Sequence, residues 1–134
     1  MTRFGPVIVG AVLACLIAAP GLAMSGADAL KQLNHDADQT IELPEVFNRA
    51  VQRFNDLNKD NDLTLEKAEV QGLVTDAEWK QHNRDHDGAL ELDEWLKIVR
   101  ARFTAADTDG DGRLTAKELE SPAGQSLLKL VIQQ

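Results

Sequence analysis

One pattern of acidic and amide side chains recurs four times along this chain and limits what the chain can fold into. The windows are 12 residues long, begin 24, 25 and 24 residues apart, and cover residues 34–45, 58–69, 83–94 and 107–118. They hold 17 of the 22 acidic residues, and 16 of those 17 stand at five positions of the repeat, which are 1, 3, 5, 9 and 12. An acidic composition alone is compatible with disorder, but a fixed spacing indicates that the acids act together at defined sites.

The spacing within each window is that of the EF-hand calcium loop, in which oxygen atoms surround a hard cation. Side chains at positions 1, 3 and 5 converge as the loop curls, and position 7 supplies its backbone carbonyl. Position 9 contributes directly or through water, and the Glu at position 12 contributes both carboxylate oxygens. The candidate metal ligands are Asn34, Asp36, Asp38, Thr40, Glu42 and Glu45 in loop one; Asn58, Asp60, Asp62, Thr64, Glu66 and Glu69 in loop two; Asn83, Asp85, Asp87, Ala89, Glu91 and Glu94 in loop three; and Asp107, Asp109, Asp111, Arg113, Thr115 and Glu118 in loop four.

Apolar residues at fixed positions around the loops predict the surrounding structure. Position 8 is apolar in every loop, and we expect it to face the core or to pair with another loop. Positions −4 and 13 are also apolar, which favours an entering and an exiting helix with an inward stripe around each loop. Trp79 and Trp95 occupy two of these flanking positions, beside loop three, and are expected to be core residues. The predicted fold is all-α, with four EF-hand helix–loop–helix units in a compact small helical bundle.

Position 6 departs from the usual loop chemistry in two of the four loops. This position requires a left-handed backbone, which Gly88 and Gly112 adopt freely. Gln39 and Leu63 stand there in loops one and two, at a cost of about 1–2 kcal/mol each. We therefore expect those loops to be weaker or differently shaped, with the larger effect at loop two.

The charge of each loop bears on the identity of the ion. Loops one to three begin with Asn and carry Glu at position 9, whereas loop four has Asp107 and Thr115, the ordinary calcium arrangement. Each loop thus has four carboxylates at ligand positions, which leave a charge of −2 around a divalent ion and −1 around a trivalent ion. Carboxylate oxygens suit any hard cation, and the added carboxylate at position 9 favours the higher ionic charge without excluding calcium.

The connectors between loops are too short for ordinary EF-hand pairs. Residues 46–57, 70–82 and 95–106 give connectors of 12, 13 and 12 residues. A 12-residue helix is about 18 Å long, so it holds consecutive loops at opposite ends. In the second connector, Gly72 and a capping box from Thr75 to Glu78 predict a break and a new helix. This break predicts that loop two pairs with loop three, and loop one with loop four.

After loop four, Ser121 and Pro122 are typical of an N-cap and a first helical residue. We expect the amphipathic helix that follows to close the core. Its apolar residues are Leu127, Leu128, Leu130, Val131 and Ile132.

The first 23 residues have the character of a secretory signal peptide. Arg3 precedes an apolar run from residue 7 to 19, and Gly21 and Ala23 stand at −3 and −1 of the expected cleavage site. The run is shorter than the roughly 20 residues that a membrane span needs. A lipoprotein signal with Cys15 as the lipidated residue is the alternative. Cleavage after Ala23 predicts a periplasmic mature domain, residues 24–134, with no cysteine and a formal charge of −9.

The signal peptide, the four loops, the short connectors and the segment from Lys117 to Gly124 together resemble the lanmodulin family of periplasmic lanthanide-binding proteins. The resemblance covers the whole chain, and its specific part is the connectors and that segment. The family carries Pro at position 2 and Asp at position 9, and this chain carries neither there. The resemblance implies lanthanide(III) capture or delivery in the periplasm, coupled to folding.

Two functions of different classes follow from the sequence. The first is a lanthanide carrier, chaperone or buffer. The alternative is a calcium-binding sensor or interaction module that exposes an apolar surface to a partner. A metal-dependent homodimer is compatible with either function. In both cases the clustered carboxylates repel one another without metal, so we expect a partly disordered apo protein that folds when loaded.

Other classes of function fit the sequence poorly. The net charge of −8 opposes binding to a nucleic-acid backbone. The mature chain has no segment that calls for a membrane. His35, His82 and His86 fall at loop positions that point away from the ion, and no serine or cysteine stands with them as a nucleophile, so we do not expect an enzyme.

Overall fold

A computed structural model of the chain describes residues 24–34, 36, 38–83 and 88–132. The predicted signal peptide, residues 1–23, lies outside the described residues, as do residues 84–87 of loop three. In the part of the chain that is described, no helix combines the length and the apolar character needed to cross a bilayer.

The described chain is mostly helical, as predicted, but it also contains four short strands that an all-α class leaves out. Each strand covers positions 7 to 9, or part of them, in one of the four loops. In chain order the elements are α1 Gly26–Leu33, β1 Ile41–Glu42, α2 Leu43–Leu57, β2 Thr64–Glu66, α3 Asp76–His82, β3 Ala89–Glu91, α4 Leu92–Ala106, β4 Arg113–Leu114, α5 Ala116–Glu120 and α6 Pro122–Val131.

The two long helices, α2 and α4, confirm that a single helix connects consecutive loops. Each has 15 residues, begins directly after a strand and ends one residue before position 1 of the next loop. Such a helix is about 22 Å long. Helix α2 runs from loop one to loop two, whereas α4 runs from loop three to loop four, and the two pack against each other. Because strand pairs join loop one to loop four and loop two to loop three, the two helices are antiparallel, with one pair of loops at each end.

The strands join the loops in the predicted pairs. β1 pairs antiparallel with β4, and β2 pairs antiparallel with β3. Loop one thus lies beside loop four, and loop two beside loop three. The position 8 side chains face each other across these pairs and are fully buried, as expected; the pairs are Ile41 with Leu114 and Leu65 with Leu90.

The exit of loop two differs from the expected helix. Residues 67–73 form hydrogen-bonded turns, in which the Leu73 N–H donates to the Val70 carbonyl over 2.9 Å. Gly72 has a φ of 82°, a left-handed conformation that ends any helical run before it can lengthen. Val70, at position 13, is nonetheless buried. The predicted capping box then begins α3, with the Glu78 N–H donating to Thr75 Oγ1 over 3.1 Å and the Thr75 N–H donating to Glu78 Oε1 over 2.9 Å.

Helix α6 closes the core as predicted. Ser121 Oγ accepts the Gly124 N–H over 3.0 Å, and α6 packs against α4 and α2. Trp95 is fully buried and its Nε1–H donates to the Ala50 carbonyl over 3.0 Å. Trp79 lies at the edge of the core and is only half-buried, so the core prediction holds fully for one tryptophan. The predicted apolar residues of the last segment are all buried: Leu127, Leu128, Leu130, Val131 and Ile132.

A buried arginine on α4 joins three neighbouring segments. Arg102 donates from Nε and Nη2 to the two carboxylate oxygens of Glu78 on α3, over 2.8 and 2.6 Å. Its Nη2 also donates to the Leu73 carbonyl, and its Nη1 to the Ser126 carbonyl on α6, both over 2.7 Å. A charge this well buried needs such partners. The sequence itself indicates that Arg102 is buried, because Arg102 falls in the helical stripe that also contains Trp95 and Val99.

Candidate metal centre

All four loops begin in the same way, at the end of a helix. The residue at position 1 is the helix C-cap, and its backbone N–H donates to the carbonyl four residues earlier, over 2.8 to 3.0 Å. The first ligand position is therefore held by the helix that enters the loop. These residues are Asn34, Asn58, Asn83 and Asp107.

Side-chain oxygens then fold back over the loop. In loop one, the Oδ1 atoms of Asn34, Asp36 and Asp38 accept the N–H of the residue two positions later, over 3.1, 3.3 and 3.0 Å. These Asx turns hold each side chain against the curled backbone. In loops two and four the same bond is made by Asp60, Asp62, Asp109 and Asp111.

The Glu at position 12 ties the end of each loop to its preceding part. Its Oε1 accepts the N–H of position 9 over 2.9 to 3.0 Å, in Glu45, Glu69, Glu94 and Glu118. In loops two and four the second oxygen accepts the N–H of position 2, from Lys59 and Thr108, over 3.0 Å. These bonds bring both oxygens of the residue toward the interior of the loop, where a bidentate ligand is expected.

Position 6 is left-handed in all four loops, including the two that lack glycine. Gln39 has a φ of 65° and Leu63 a φ of 68°, beside 80° for Gly88 and 81° for Gly112. Leu63 is also 77% exposed, so its apolar side chain gains nothing from burial. Loops one and two thus reach the ordinary backbone shape at position 6, with strain that glycine avoids.

Within the described residues, three loops bring carboxylates together as candidate cation sites. In each, three acidic side chains have ligand atoms within 4.8 Å of one another. The groups are Asp36, Asp38 and Glu42; Asp60, Glu66 and Glu69; and Asp107, Asp109 and Glu118. The predicted ligands Glu45, Asp62 and Asp111 lie outside these groups, and Asp85 and Asp87 of loop three lie outside the described residues.

The remaining predicted ligands lie on the paired strands or next to them. Thr40 stands next to β1, and Thr64, Ala89 and Arg113 begin the other three strands, so position 7 is part of the loop pairing or beside it. Glu91, at position 9, ends β3 and is the N-cap of α4. Thr115, at position 9 of loop four, accepts the Glu118 N–H on Oγ1 over 3.2 Å and caps α5.

Two oxygens at position 1 are buried without a partner. Asn58 Oδ1 and Asp107 Oδ1 are shielded from solvent and accept no hydrogen bond from the residues that the structure describes. An unsatisfied buried acceptor costs about 1–3 kcal/mol, so such atoms are rare unless something else satisfies them. Both stand where a loop of this type places its first metal ligand, so the donor set present fits a hard cation.

Repulsion between carboxylates raises two pKa values within the clusters. The pKa of Glu66 is raised, first by the charge of Asp60 and then by burial and by the charges of Asp62 and Glu69. For Asp109, the N–H of Asp111 lowers the pKa, but contact with the Asp107 and Asp111 carboxyl groups and burial outweigh it, and the pKa rises. A cation within the cluster relieves this repulsion.

Backbone N–H groups lower the pKa of the carboxylates at position 5. The N–H of Thr40 is the main cause for Asp38, with a smaller contribution from Arg113. The N–H groups of Thr64 and Arg113 do the same for Asp62 and Asp111. Backbone donors thus keep one ligand of each described loop ionised, as a metal ligand must be.

One contact crosses between paired loops and was missed by the sequence prediction. The loop pattern assigns a role only to the backbone carbonyl of Arg113. Its guanidinium, however, lies 3.4 Å from Glu42 Oε2 and 3.9 Å from Asp38 Oδ2 in loop one. Only the register of β1 with β4 brings these residues together, so the sequence of loop four alone carried no signal for it.

Comparison with known proteins agrees with the chemistry of loop four. The EF-hand family model matches residues 98–121, which contain the second half of α4, loop four and α5. The comparison with curated proteins finds no match. The family match indicates that loop four is of the EF-hand type, and the clustered carboxylates offer ligand atoms for metal ions in loops one, two and four.

Proposed function

We propose that this chain is a periplasmic metal-binding protein of the lanmodulin type, whose four EF-hand loops carry or buffer lanthanide ions. The observation that carries the metal-binding part is the pair of orphaned oxygens, Asn58 Oδ1 and Asp107 Oδ1. Each belongs to a loop where three carboxylates already have ligand atoms within 4.8 Å of one another. A bound cation satisfies the buried oxygen and neutralises the carboxylates at once.

The preference for a trivalent ion rests on position 9. Glu42 and Glu66 both belong to the carboxylate groups of their loops, where a calcium loop of the ordinary kind has an uncharged or water-mediated ligand. Because Asn stands at position 1 in these loops, the position 9 carboxylate brings each loop to four ligand carboxylates, and their attraction for an ion scales with the ionic charge. Loops one and two are therefore proposed as lanthanide sites.

Metal binding is proposed to complete the fold. Without an ion, the raised pKa of Glu66 reflects carboxylates that repel one another, first of all Asp60. The strand pairs place two such loops side by side at each end of the α2–α4 pair, so the repulsion opposes closure of both ends. Binding energy gained only in the folded state then adds to folding stability, by about 2.7 kcal/mol when free metal is at 100 times its Kd.

A calcium-dependent interaction module is the second candidate, and loop four favours it. The family match falls on this loop, whose position 9 is Thr115 and whose position 1 is Asp107. A calcium switch acts by exposing an apolar surface when the ion binds.

Competition between the two ions tests the proposal. The protein is titrated with lanthanum in millimolar calcium, following helix content by circular dichroism and the fluorescence of Trp79, which is half-buried beside loop three. The proposal expects a gain of helix and a fluorescence change at lanthanum concentrations far below those at which calcium acts. An equal response to both ions supports the calcium module, and no response to either contradicts metal binding.

Two matched variants locate the binding in a loop. Asp60→Asn removes a carboxylate of the loop two group, whereas Asp56→Asn removes an exposed carboxylate just before the loop. Both change the net charge equally. Calorimetric titration with lanthanum is expected to lose one strong site in D60N and none in D56N. Equal titrations for the two variants contradict a site in loop two.

A further inference from the structure

Arg113 belongs to loop four by sequence, but its side chain reaches loop one in space. The β1–β4 register places Arg113 opposite Glu42. Its Nε lies 3.4 Å from Glu42 Oε2, and its Nη1 lies 3.9 Å from Asp38 Oδ2. These two carboxylates are two of the three that form the candidate cation group of loop one. The guanidinium therefore lies against the group that a metal ion would contact.

The other loop pair has the same register but a different residue at this place. There, Glu66 at position 9 of loop two lies opposite Ala89 at position 7 of loop three. Among the described residues, no ion pair involves Asp60, Glu66 or Glu69. Position 7 of one loop thus faces position 9 of its partner in both pairs, and only in the first pair is the facing residue a cation.

We propose that Arg113 is a specificity-determining residue of loop one, which lowers the affinity of that loop and lowers it more for a trivalent than for a divalent ion. This inference rests on the proposed function. An ion entering loop one meets the positive charge of Arg113 and competes with it for Asp38 and Glu42. The repulsion scales with ionic charge, so a residue that costs lanthanum about tenfold in affinity costs calcium roughly fivefold.

The arrangement also separates the two roles of one residue. The backbone carbonyl of Arg113 is a predicted ligand of loop four, whereas its side chain acts on loop one. Any residue at position 7 keeps the backbone carbonyl that serves its own loop. The side chain at position 7 can therefore alter the metal affinity of the partner loop without removing that ligand. Loop one and loop two, which have the same acids at positions 3, 5, 9 and 12, are made unequal by their partners.

Arg113→Gln tests this inference in the full-length protein. Lanthanum and calcium are each titrated against a competing chelator, and ¹H–¹⁵N spectra follow the amides of Thr40 in loop one and Thr64 in loop two. In R113Q the affinity of loop one is expected to rise about tenfold for lanthanum and roughly fivefold for calcium, with loop two unchanged within about twofold. Arg113→Lys, which keeps the charge, is expected to stay within about twofold of the wild type.

Lys117→Gln is the matched control, because Lys117 is an exposed cation of the same loop and has no ion pair among the described residues. It makes the same change in net charge. If R113Q and K117Q change loop one equally, the inference is wrong. If both ions gain equally in R113Q, Arg113 acts sterically and the specificity claim is wrong.

Ala89→Arg performs the reverse experiment in the other pair. Placing an arginine opposite Glu66 is expected to weaken lanthanum binding at loop two by about tenfold. Ala89→Gln adds a side chain without charge and is expected to leave loop two within about twofold of the wild type. Equal effects of A89R and A89Q contradict the inference. Absence of lanthanum binding in the wild type contradicts the proposed function as well, whereas binding that no variant changes contradicts only this inference.

Discussion

The loop pair one–four and the loop pair two–three share one register and differ in what surrounds it. Both are two-stranded and antiparallel, and both bury two position 8 side chains between them. In pair one–four, Arg113 supplies a cation to the acids of the partner loop, and loop four leads directly into α5 and α6. In pair two–three, no cation stands opposite Glu66, and loop two leads into the turns of residues 67–73.

This difference shows that the ligands of a loop do not by themselves decide its properties. Loops one and two have Asp, Asp, Glu and Glu at the same four positions. Other parts of the chain form their surroundings. The partner loop supplies the residue opposite position 9, and Arg102 on α4 donates a hydrogen bond to the turns that follow loop two.

Arg102→Met is expected to lower the free energy of unfolding by about 3–5 kcal/mol, because it leaves Glu78 and the Leu73 and Ser126 carbonyls without their buried partner. If Arg102 supports pair two–three, amide exchange should increase more in residues 67–82 than in β1 and β4. Urea unfolding and hydrogen exchange measure the two effects. Arg100→Met, at an exposed site on the same helix, should stay within about 0.5 kcal/mol of the wild type. A uniform increase in exchange would contradict the local role.

Glu118→Gln and Glu69→Gln are each expected to weaken lanthanum binding at their own loop by at least about 100-fold. Loss of a group that only holds a ligand in place costs up to about 100-fold, and these glutamates are proposed to be ligands themselves. Each glutamate joins the N–H of position 9 to the N–H of position 2, so its loss opens the loop as well. Because strands couple the loops, E118Q should also weaken loop one, and E69Q loop three. Amide spectra during titration report each loop, and effects confined to the mutated loop would contradict coupling within pairs.

Leu63→Gly is expected to stabilise the protein by up to about 1 kcal/mol, because glycine adopts the φ of 68° without strain and Leu63 is 77% exposed. Gly112→Ala at the same position of loop four should destabilise by a similar amount, since φ is 81° there. Thermal unfolding of the metal-loaded proteins measures both changes. Shifts of the same sign for the two variants would show that position 6 is not the source of strain.

Acidity is expected to have a smaller effect that differs in sign between two glutamates. Burial raises the pKa of Glu78, but hydrogen bonds from Arg102 and the Thr75 N–H outweigh burial, and the pKa is lowered. The carboxylate of Glu78 therefore stabilises the fold above about pH 4.3, and this stabilisation is lost as the pH falls through the lower pKa of the folded state. Glu66 has a raised pKa, so its repulsion destabilises the apo protein at neutral pH and vanishes on protonation. Urea unfolding at pH 7 and pH 4 should show E78Q losing and E66Q gaining stability at pH 7, with both differences smaller at pH 4. An unchanged pH slope in E78Q would contradict the first assignment.

Much of this arrangement could be predicted because it depends on local chemistry. Helix caps at Thr75 and Ser121, single-helix connectors and left-handed residues at position 6 all follow from interactions within a few residues. The pairing of loops followed from one break at Gly72 and from the length of a helix. The helix expected after loop two was wrong, because Gly72 ends it before enough turns form to be stable.

The sequence by itself determined which carboxylates are grouped in each of the four loops. The reason is that the fixed spacing of the repeat restricts the backbone conformation that each loop can adopt. Only the tertiary structure decided which charges oppose those sets. Arg102 meets Glu78 across 24 residues, and Arg113 meets Glu42 through a strand pair that joins the second and last quarters of the chain. Contacts of this kind depend on how helices and strands pack, and no pattern within either segment specifies the partner.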